Sequence, residues 1–175
     1  MPSHTISVVV ENEFGVLARV AGLFSSRGFN IESLTVNEDP IDPTVSRIVL
    51  VSSGDDQIFE QISKQLNKLV SVIKVTDFQD TDTVDRELIL VKVAVEERTR
   101  SELDSIVQAF RAHVVDIGPR SQTIEVSGDT GKSKAFINLV RPLGIREIVR
   151  TGKIAMARSV QLTNVVTQRP AREAG

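Results

Sequence analysis

The spacing of apolar residues in the first half of the chain predicts four strands and two helices. Runs rich in β-branched residues predict strands at 4–10, 31–36, 47–52 and 71–78. Between them, apolar residues recur every three or four positions, which predicts one helix after Gly15 and another from about Asp55. The predicted apolar stripes are Val16, Leu17, Val20, Leu23 and Phe24, and Ile58, Ile62, Leu66 and Leu69. The order β-α-β-β-α-β is that of a ferredoxin-like plait.

The same order of elements is predicted a second time from residue 86 onward. Strands are expected at 86–95, 114–117, 122–127 and 145–150, the last of them as a core strand. Thr99 and Glu102 have the spacing of a capping box at the start of a helix. The apolar stripe of that helix is Leu103, Ile106, Val107 and Phe110, and that of a second helix, 130–140, is Phe136, Leu139 and Val140. The repeat is one of topology, because the residues of the two halves barely match.

The chain is therefore predicted to be an α+β protein made of two tandem ferredoxin-like βαββαβ plaits. An acidic, polar stretch without periodicity separates the two halves, and we place the linker at 79–85. The first domain then spans 4–78 and the second 86–158, followed by a polar tail at 159–175. In a plait of this order the sheet runs 4-1-3-2, so the second strand, 31–36, lies at an edge. Little in that strand opposes pairing apart from Glu32, and we expect two chains to pair along or beside it.

Composition and charge narrow the classes of function. Hydrophobic residues make up 41% of the 175 positions and charged residues 25%, as is usual for a globular protein, and the formal net charge is −2. This charge argues against a nucleic-acid or acidic-membrane binder whose affinity is mainly electrostatic. The chain has no cysteine, no apolar run long enough to cross a bilayer, and no signal-peptide pattern at its start. We expect a cytoplasmic protein with no nucleic-acid or membrane partner.

Motifs for nucleotide or calcium binding are weak. The stretch Gly128-Asp129-Thr130-Gly131-Lys132-Ser133 has two residues between its glycines, whereas a phosphate loop has four. Asp129 or Thr130 is instead expected to cap the helix that starts there. The acidic run within 77–85 lacks the mid-loop glycine and the terminal glutamate of an EF-hand.

Residues for catalysis, metal binding or RNA binding are equally scarce. The two histidines, His4 and His113, have no partner at a fixed spacing, and we expect both at the surface. The absence of Trp and Tyr argues against an RNA-recognition plait, and the absence of Cys against a metal-carrying one. No catalytic residue and no metal ligand is predicted.

One corner of the chain, within 11–36, suits a small anion such as an amino-acid carboxylate. Asn12 precedes the first helix and Gly15 lies in its first turn, so free backbone N–H groups and a small residue meet at an exposed point. On the residues alone, a simpler interpretation is favoured: Asn12 caps the helix and Gly15 permits a tight turn. Asn30, just after the helix terminator Gly28, is likewise typical of a turn.

At these residues the chain resembles a known family. The segment ENEFGVLARVAGLFSSRGFNIESLTV is similar to the amino-terminal ACT domain of the small, regulatory subunits of acetolactate synthase, also called acetohydroxyacid synthase. The resemblance continues through SRIVLV, KQLNKLVSVIKV, DRELILVKV, AFRAHVVDIG, GKSKAF and RTGKIAMAR. It covers about nine-tenths of the chain, 4–158, which argues against the chance match of a single motif.

The resemblance implies a subunit with no catalytic site and no cofactor of its own. Small subunits of this family bind the large catalytic subunit, raise its activity and confer feedback inhibition by valine or a related branched-chain amino acid. Thiamine diphosphate, Mg²⁺ and FAD are expected on the catalytic subunit. That subunit condenses two pyruvates, or pyruvate and 2-oxobutyrate, at the start of valine, leucine and isoleucine synthesis.

The resemblance also implies where the effector binds. In the family, ACT domains pair between chains as a homodimer, and the effector lies at their interface, between the helix start of one chain and the strand entry of the other. The implied residues are Asn12, Gly15, Val16 and Leu17 from one chain, and Asn30 and Ile31 from the other. Phe14 and Ala18 stand where other members often carry smaller or hydroxylic residues, which leaves the preferred effector open.

Two further functions stay open at this stage. The chain is also compatible with a free-standing amino-acid sensor that regulates transcription or another enzyme. Co-purification with a large thiamine-dependent subunit separates these two hypotheses. An independent enzyme is the third, and turnover by the isolated chain would support it.

Overall fold

The computed structural model describes residues 3–159, which form two compact units. One unit contains residues 3–84 together with 155–159, and the other contains 85–154. The first unit is built on four antiparallel strands and two helices: β1 (Ser3–Glu11), α1 (Val16–Ser26), β2 (Ile31–Glu38), β3 (Val45–Ser53), α2 (Asp56–Leu66) and β4 (Val72–Asp77). The strand order is β2-β3-β1-β4, as predicted, with β2 at an edge.

The core of the first unit lies between one face of this sheet and the two helices. Every second residue of β1 enters it, because side chains alternate between the faces of a strand. The fully buried members include Ile6, Val8, Val10, Val16, Val20, Phe24, Phe59, Ile62 and Leu66. Four predicted stripe residues are not fully buried: Leu17 is 41% exposed, and Leu23, Ile58 and Leu69 are partly buried against the core. In α2 the core position belongs to the neighbour of Ile58, Phe59.

His4 is buried, so the prediction that it lies at the surface is wrong. Its imidazole is 1% exposed and stacks on the ring of Phe59, with the ring centroids 3.7 Å apart. Nε2 lies 3.5 Å from a carboxylate oxygen of Asp56, and Nδ1 lies 3.7 Å from one of Asp77. The one-residue shift in the buried face of α2 is what places Phe59 over this histidine.

The end of α1 follows the predicted glycine signal. Gly28 adopts a left-handed φ of 71°. Its N–H donates to Ser25 O at 3.1 Å, and Phe29 N–H donates to Phe24 O at 3.0 Å. This pair of bonds is a Schellman motif, and it turns the chain directly into the edge strand β2.

The second sheet repeats the order of the first. Its elements are β5 (Thr83–Ala94), α3 (Glu97–Ala109), β6 (His113–Gly118), β7 (Ser121–Gly128), α4 (Thr130–Val140), β8 (Ile145–Arg150) and β9 (Ile154–Ala157). The strands run β6-β7-β5-β8, and β9 also pairs with β5. β5 begins three residues before its predicted start at 86, in the stretch assigned to the linker. Both βαββαβ orders are therefore present.

Three predictions about side chains in the second half need correction. Leu139 is about half exposed, because the buried face of α4 consists of Ser133, Phe136 and Val140. β8 is mostly exposed and is not a core strand. Thr99 does not begin α3 but occupies its third position, where its hydroxyl oxygen accepts a bond from Glu96 N–H at 3.2 Å. The cap of α4 is as predicted, since Asp129 accepts from Lys132 N–H at 2.7 Å.

The polar tail predicted at 159–175 lies, apart from its first residue, outside the described residues. Within 3–159, no helix combines the length and the apolar character needed to cross a membrane.

Candidate functional site

The loop between β1 and α1 carries the first part of the predicted site. Gly15 adopts a left-handed φ of 81° and forms the cap residue of α1, one position before the helix rather than in its first turn. A Cβ at this position would meet no atom within 4 Å. Glycine is therefore the residue best suited to this left-handed conformation, and the space in front of it is open.

The N-terminus of α1 is not capped by a side chain. No side chain bonds to its first turn, and that turn contains no acidic residue. Arg19 N–H donates to Gly15 O at 3.0 Å as the first bond of the helix. The N–H groups of Leu17 and Ala18 thus have no partner inside the helix and point out of its N-terminal end, where the helix dipole is positive.

Asn12 is held by the β2–β3 loop and does not cap the helix. Its side-chain nitrogen donates to Glu38 Oε2 at 3.1 Å and to Pro43 O at 2.9 Å. Its backbone N–H donates to Thr44 O at 2.7 Å. Because both side-chain partners are acceptors, the nitrogen must face them, and the side-chain oxygen is left to accept from another group.

These partners of Asn12 were not visible in the sequence. Glu38 and Pro43 are 26 and 31 residues away from it. Helical and strand periodicity report only on local structure, so they give no signal for such a contact. The register that sets Glu11 opposite Val45 creates it, by returning the β2–β3 loop to the end of β1.

The apolar residues around this helix start divide between the core and the surface. Val16 is buried and belongs to the core, and its N–H donates to Glu13 O at 3.4 Å, so neither its side chain nor its N–H is free to contact a ligand. Leu17 presents part of its side chain to the surface, and Phe14 is fully exposed. Leu17 is thus the predicted site residue here that offers an apolar surface.

Asn30 and Ile31, the second part of the predicted site, lie at the opposite end of β2. The strand has 8 residues, so its two ends are about 23 Å apart at ~3.3 Å per residue. Asn30 is exposed, and its backbone oxygen accepts from Ser52 Oγ at 2.6 Å. Ile31 packs partly against the core. A single chain therefore does not bring the two parts of the site together.

Of two cavities in the first unit, one lies away from the predicted site and the other borders it at Val16. One of about 320 Å³ lies between α1 and α2 and is lined by none of the predicted residues. Another, of about 240 Å³, lies beside the start of α1, where Val16, Arg19 and the loop 68–72 bound it. In the described part of the chain, no group of three or more His, Asp or Glu side chains is arranged to hold a metal ion.

Comparison with known families places the chain in one of them. A family model described as "AHAS small subunit-like ACT domain" matches residues 6–74, and one described as "Small subunit of acetolactate synthase" matches 86–159. A probable acetolactate synthase small subunit of Archaeoglobus fulgidus is 52% identical over 155 residues, covering 89% of this chain and 96% of the relative. The chain belongs to the acetolactate synthase small-subunit family.

Other members of the family agree with this assignment in sequence and in structure. A probable small subunit of Methanothermobacter thermautotrophicus is 50% identical over 157 residues, covering 89% of this chain and 93% of the relative. The crystal structure of the acetolactate synthase small subunit from Thermotoga maritima is 41% identical, with a TM-score of 0.81, and covers 90% of this chain and 98% of that one. This family is the non-catalytic component of a transferase complex, so the resemblance read from the sequence is confirmed.

Proposed function

We propose that this chain is a regulatory subunit that binds a thiamine-diphosphate-dependent acetolactate synthase catalytic subunit, raises its activity and makes it sensitive to valine or a related branched-chain amino acid. Membership of the small-subunit family implies the catalytic partner. The observation that supports an effector site is the uncapped start of α1 behind Gly15. The proposal includes a cytoplasmic location and no cofactor in this chain.

The chemistry of the helix start fits an amino acid. The carboxylate would accept from the N–H groups of Leu17 and Ala18, which have no partner inside the helix. The ammonium group would donate to the side-chain oxygen of Asn12, whose nitrogen is engaged by Glu38 and Pro43. The exposed part of Leu17 would contact the aliphatic side chain of the effector.

A symmetric dimer would complete the site. β2 is an edge strand, and it exposes Leu34 and Val36 on the face that the helices cover elsewhere in the sheet. Antiparallel pairing of two copies of β2 about its middle would set the partner subunit's Ile31 opposite Glu38, to which Asn12 is bonded. The two parts of the site, about 23 Å apart in one chain, would then meet across the interface.

A division of labour between the two domains is part of the proposal. The first domain, 4–78, would bind the effector and form the dimer. The second domain, 86–158, would transmit the signal to the catalytic subunit or help to bind it. Of the predicted linker 79–85, residues 79–82 precede β5, and 159–175 would be a tail. Each half has its own closed apolar core, which supports separate folding.

Calorimetric titration with valine, leucine and isoleucine tests the sensing function. We expect saturable binding of at least one of the three, and a parallel decrease in acetolactate formation by the reconstituted complex. Tagged small subunit should also retain the catalytic subunit during purification. A chain that bound an amino acid but never co-purified with or activated a catalytic subunit would instead be a free-standing sensor.

A further inference from the structure

The three most exposed large apolar side chains of the described residues lie at one end of the first sheet. They are Phe14, Ile41 and Val70, with exposed fractions of 102%, 91% and 74%. Each lies on a different loop: 12–15, 39–44 and 67–71, respectively. We call these three side chains the loop-end surface.

Backbone pairing brings the three loops together. In the register of the sheet, Glu11 lies opposite Val45, and Val10 lies opposite Val72, so all three loops leave the sheet at the same end. Asn12 N–H donates to Thr44 O at 2.7 Å, which ties the first loop to the second. Glu11 N–H donates to Ser71 O at 2.9 Å, which ties it to the third.

The loop that carries Ile41 is fixed although it is exposed. Asp39 Oδ1 accepts from Ile41 N–H at 2.9 Å and from Asp42 N–H at 3.2 Å. These two backbone hydrogen bonds lower the pKa of the Asp39 carboxyl below its usual value, and the bond from Ile41 has the larger effect. Asp42 Oδ1 in turn accepts from Thr44 N–H at 3.0 Å. An apolar side chain held out by an ordered loop loses little conformational entropy when a partner covers it.

Charge at this end favours a partner of opposite sign. The loops and the adjoining strand ends carry five carboxylates: Glu11, Glu13, Glu38, Asp39 and Asp42. Three basic side chains lie beside them: Lys68 in the third loop, Arg47, whose charge acts on Asp39, and Arg19, which donates to Ser71 Oγ at 3.2 Å. Negative charge is therefore still in excess. A second copy of the same face would set this negative charge against itself. The edge strand β2 is already the proposed contact between copies, and a second homotypic contact would carry the assembly beyond two chains.

We infer that the loop-end surface binds the catalytic subunit, at an apolar recess bordered by Lys and Arg side chains. This inference rests on the proposed function, since it names the surface that the catalytic partner contacts. It also gives Asn12 a second role, because the residue that borders the effector site is bonded to the loop that carries Ile41. Effector binding at Asn12 and docking at Ile41 would thus be linked by one side chain.

Ile41→Ser in the full chain, titrated into the catalytic subunit, tests the surface. The readouts are direct binding on a sensor and acetolactate formation without valine. Loss of a buried isoleucine side chain is expected to raise the half-activating concentration by about ten- to a hundredfold. Val70→Ser should act in the same direction. Raising the salt concentration should weaken wild-type binding, because the carboxylates contribute to it.

Ile117→Ser is the matched control. Ile117 is 69% exposed on β6 in the other unit, and the same substitution there should leave the half-activating concentration within about twofold. Equal losses in Ile41→Ser and Ile117→Ser, or no loss in Ile41→Ser and Val70→Ser, would overturn the assignment while the wild-type chain still binds and activates. A wild-type chain that neither binds nor activates would overturn the proposed function itself. Circular dichroism and valine calorimetry should match wild type for each variant, since none of these residues belongs to the effector site.

Discussion

The first helices of the two halves, α1 and α3, occupy equivalent places in the same topology but begin in opposite ways. α1 starts at the left-handed Gly15, with no side-chain cap and no acid in its first turn. α3 starts at Glu96, whose N–H donates to Thr99 Oγ1, and carries Glu97 in its first turn. An acid at a helix start complements the dipole and repels a second anion. Of these two helices, only α1 thus offers an external carboxylate an open place, so the proposed sensing function would depend on these few residues and not on the shared fold.

The edges of the two sheets offer a second contrast. β2 and β6 are equivalent edge strands, and Leu34 on one and Val114 on the other each lie opposite a core residue of the neighbouring strand. The two strands thus present comparable edges. Their proposed difference is the site next to β2: only there does pairing with a second copy bring an open helix start and a strand entry together.

Removing the second half should have the largest effect. A chain that ends after Asp80 keeps every core residue of the first unit, so we expect it to fold and to bind valine. Feedback inhibition of the catalytic subunit should be weakened or lost, because the domain proposed to transmit the signal is gone, while part of the activation survives. Calorimetry, circular dichroism and inhibition curves of the reconstituted complex measure these three properties.

The truncated chain also tests whether the halves are independent. If it fails to fold, the two halves depend on one another for stability, and the division of labour must be abandoned. If it folds and still confers full inhibition, the first domain transmits the signal by itself.

Gly15→Asp should have the second largest effect, a loss of valine affinity. The Asp carboxylate would face the carboxylate of bound valine in the open space in front of α1. Two like charges about 4 Å apart repel by ~1 kcal/mol in water and by ~4 kcal/mol at an effective dielectric of 20. Affinity should therefore fall by roughly tenfold to a thousandfold, and the complex should remain active but resist valine. Valine titration of acetolactate formation provides the measurement.

Gly15→Asn is the control for this substitution. Asn matches Asp in size and in its tolerance of the left-handed conformation that Gly15 adopts, but it carries no charge. The difference in valine affinity between the two variants isolates the electrostatic part of the effect. Equal affinity of a folded Gly15→Asp chain and the wild type would place the effector site elsewhere.

The fold could be predicted because its signals are local, whereas much of the site depends on distant contacts. β-branched runs and apolar stripes predicted both plaits and the edge position of β2. Where two adjacent residues are both apolar, as Ile58 and Phe59 are, periodicity does not decide which of them is buried. The wrong choice of Ile58 hid the burial of His4, which stacks on Phe59. The hydrogen bonds of Asn12 come from strand register, which single-sequence periodicity does not report. The residues alone favoured Asn12 as the cap of α1, which is wrong, and both the open helix start and the left-handed cap at Gly15 needed the backbone geometry.

Leu34→Lys should weaken the proposed dimer, because a charged side chain on an edge strand opposes pairing with a second copy. We expect the dimer dissociation constant to rise by about tenfold or more, and valine affinity to fall with it, since the proposed site is formed by both chains. Light scattering over a dilution series, with valine present, measures the change. Val114→Lys on the equivalent strand β6 is the matched control and should leave the dimer intact. Equal dissociation by both variants would assign the interface to both sheets, and a monomeric wild type at micromolar concentration would remove the interface altogether.

Thr99→Ala should have the smallest effect, because it changes only the capped start of α3. It removes the hydroxyl that accepts from Glu96 N–H, and loss of a capping interaction costs about 1 kcal/mol of unfolding free energy. Ser101→Ala, two residues further along α3, removes a hydroxyl outside the capping box and should leave stability within about 0.5 kcal/mol of wild type. Urea unfolding of the two variants gives the difference, and valine calorimetry should give wild-type affinity for both. A folded Thr99→Ala chain with tenfold weaker valine binding would mean that the start of α3 also contributes to effector binding, and the contrast between the two helix starts would then fail.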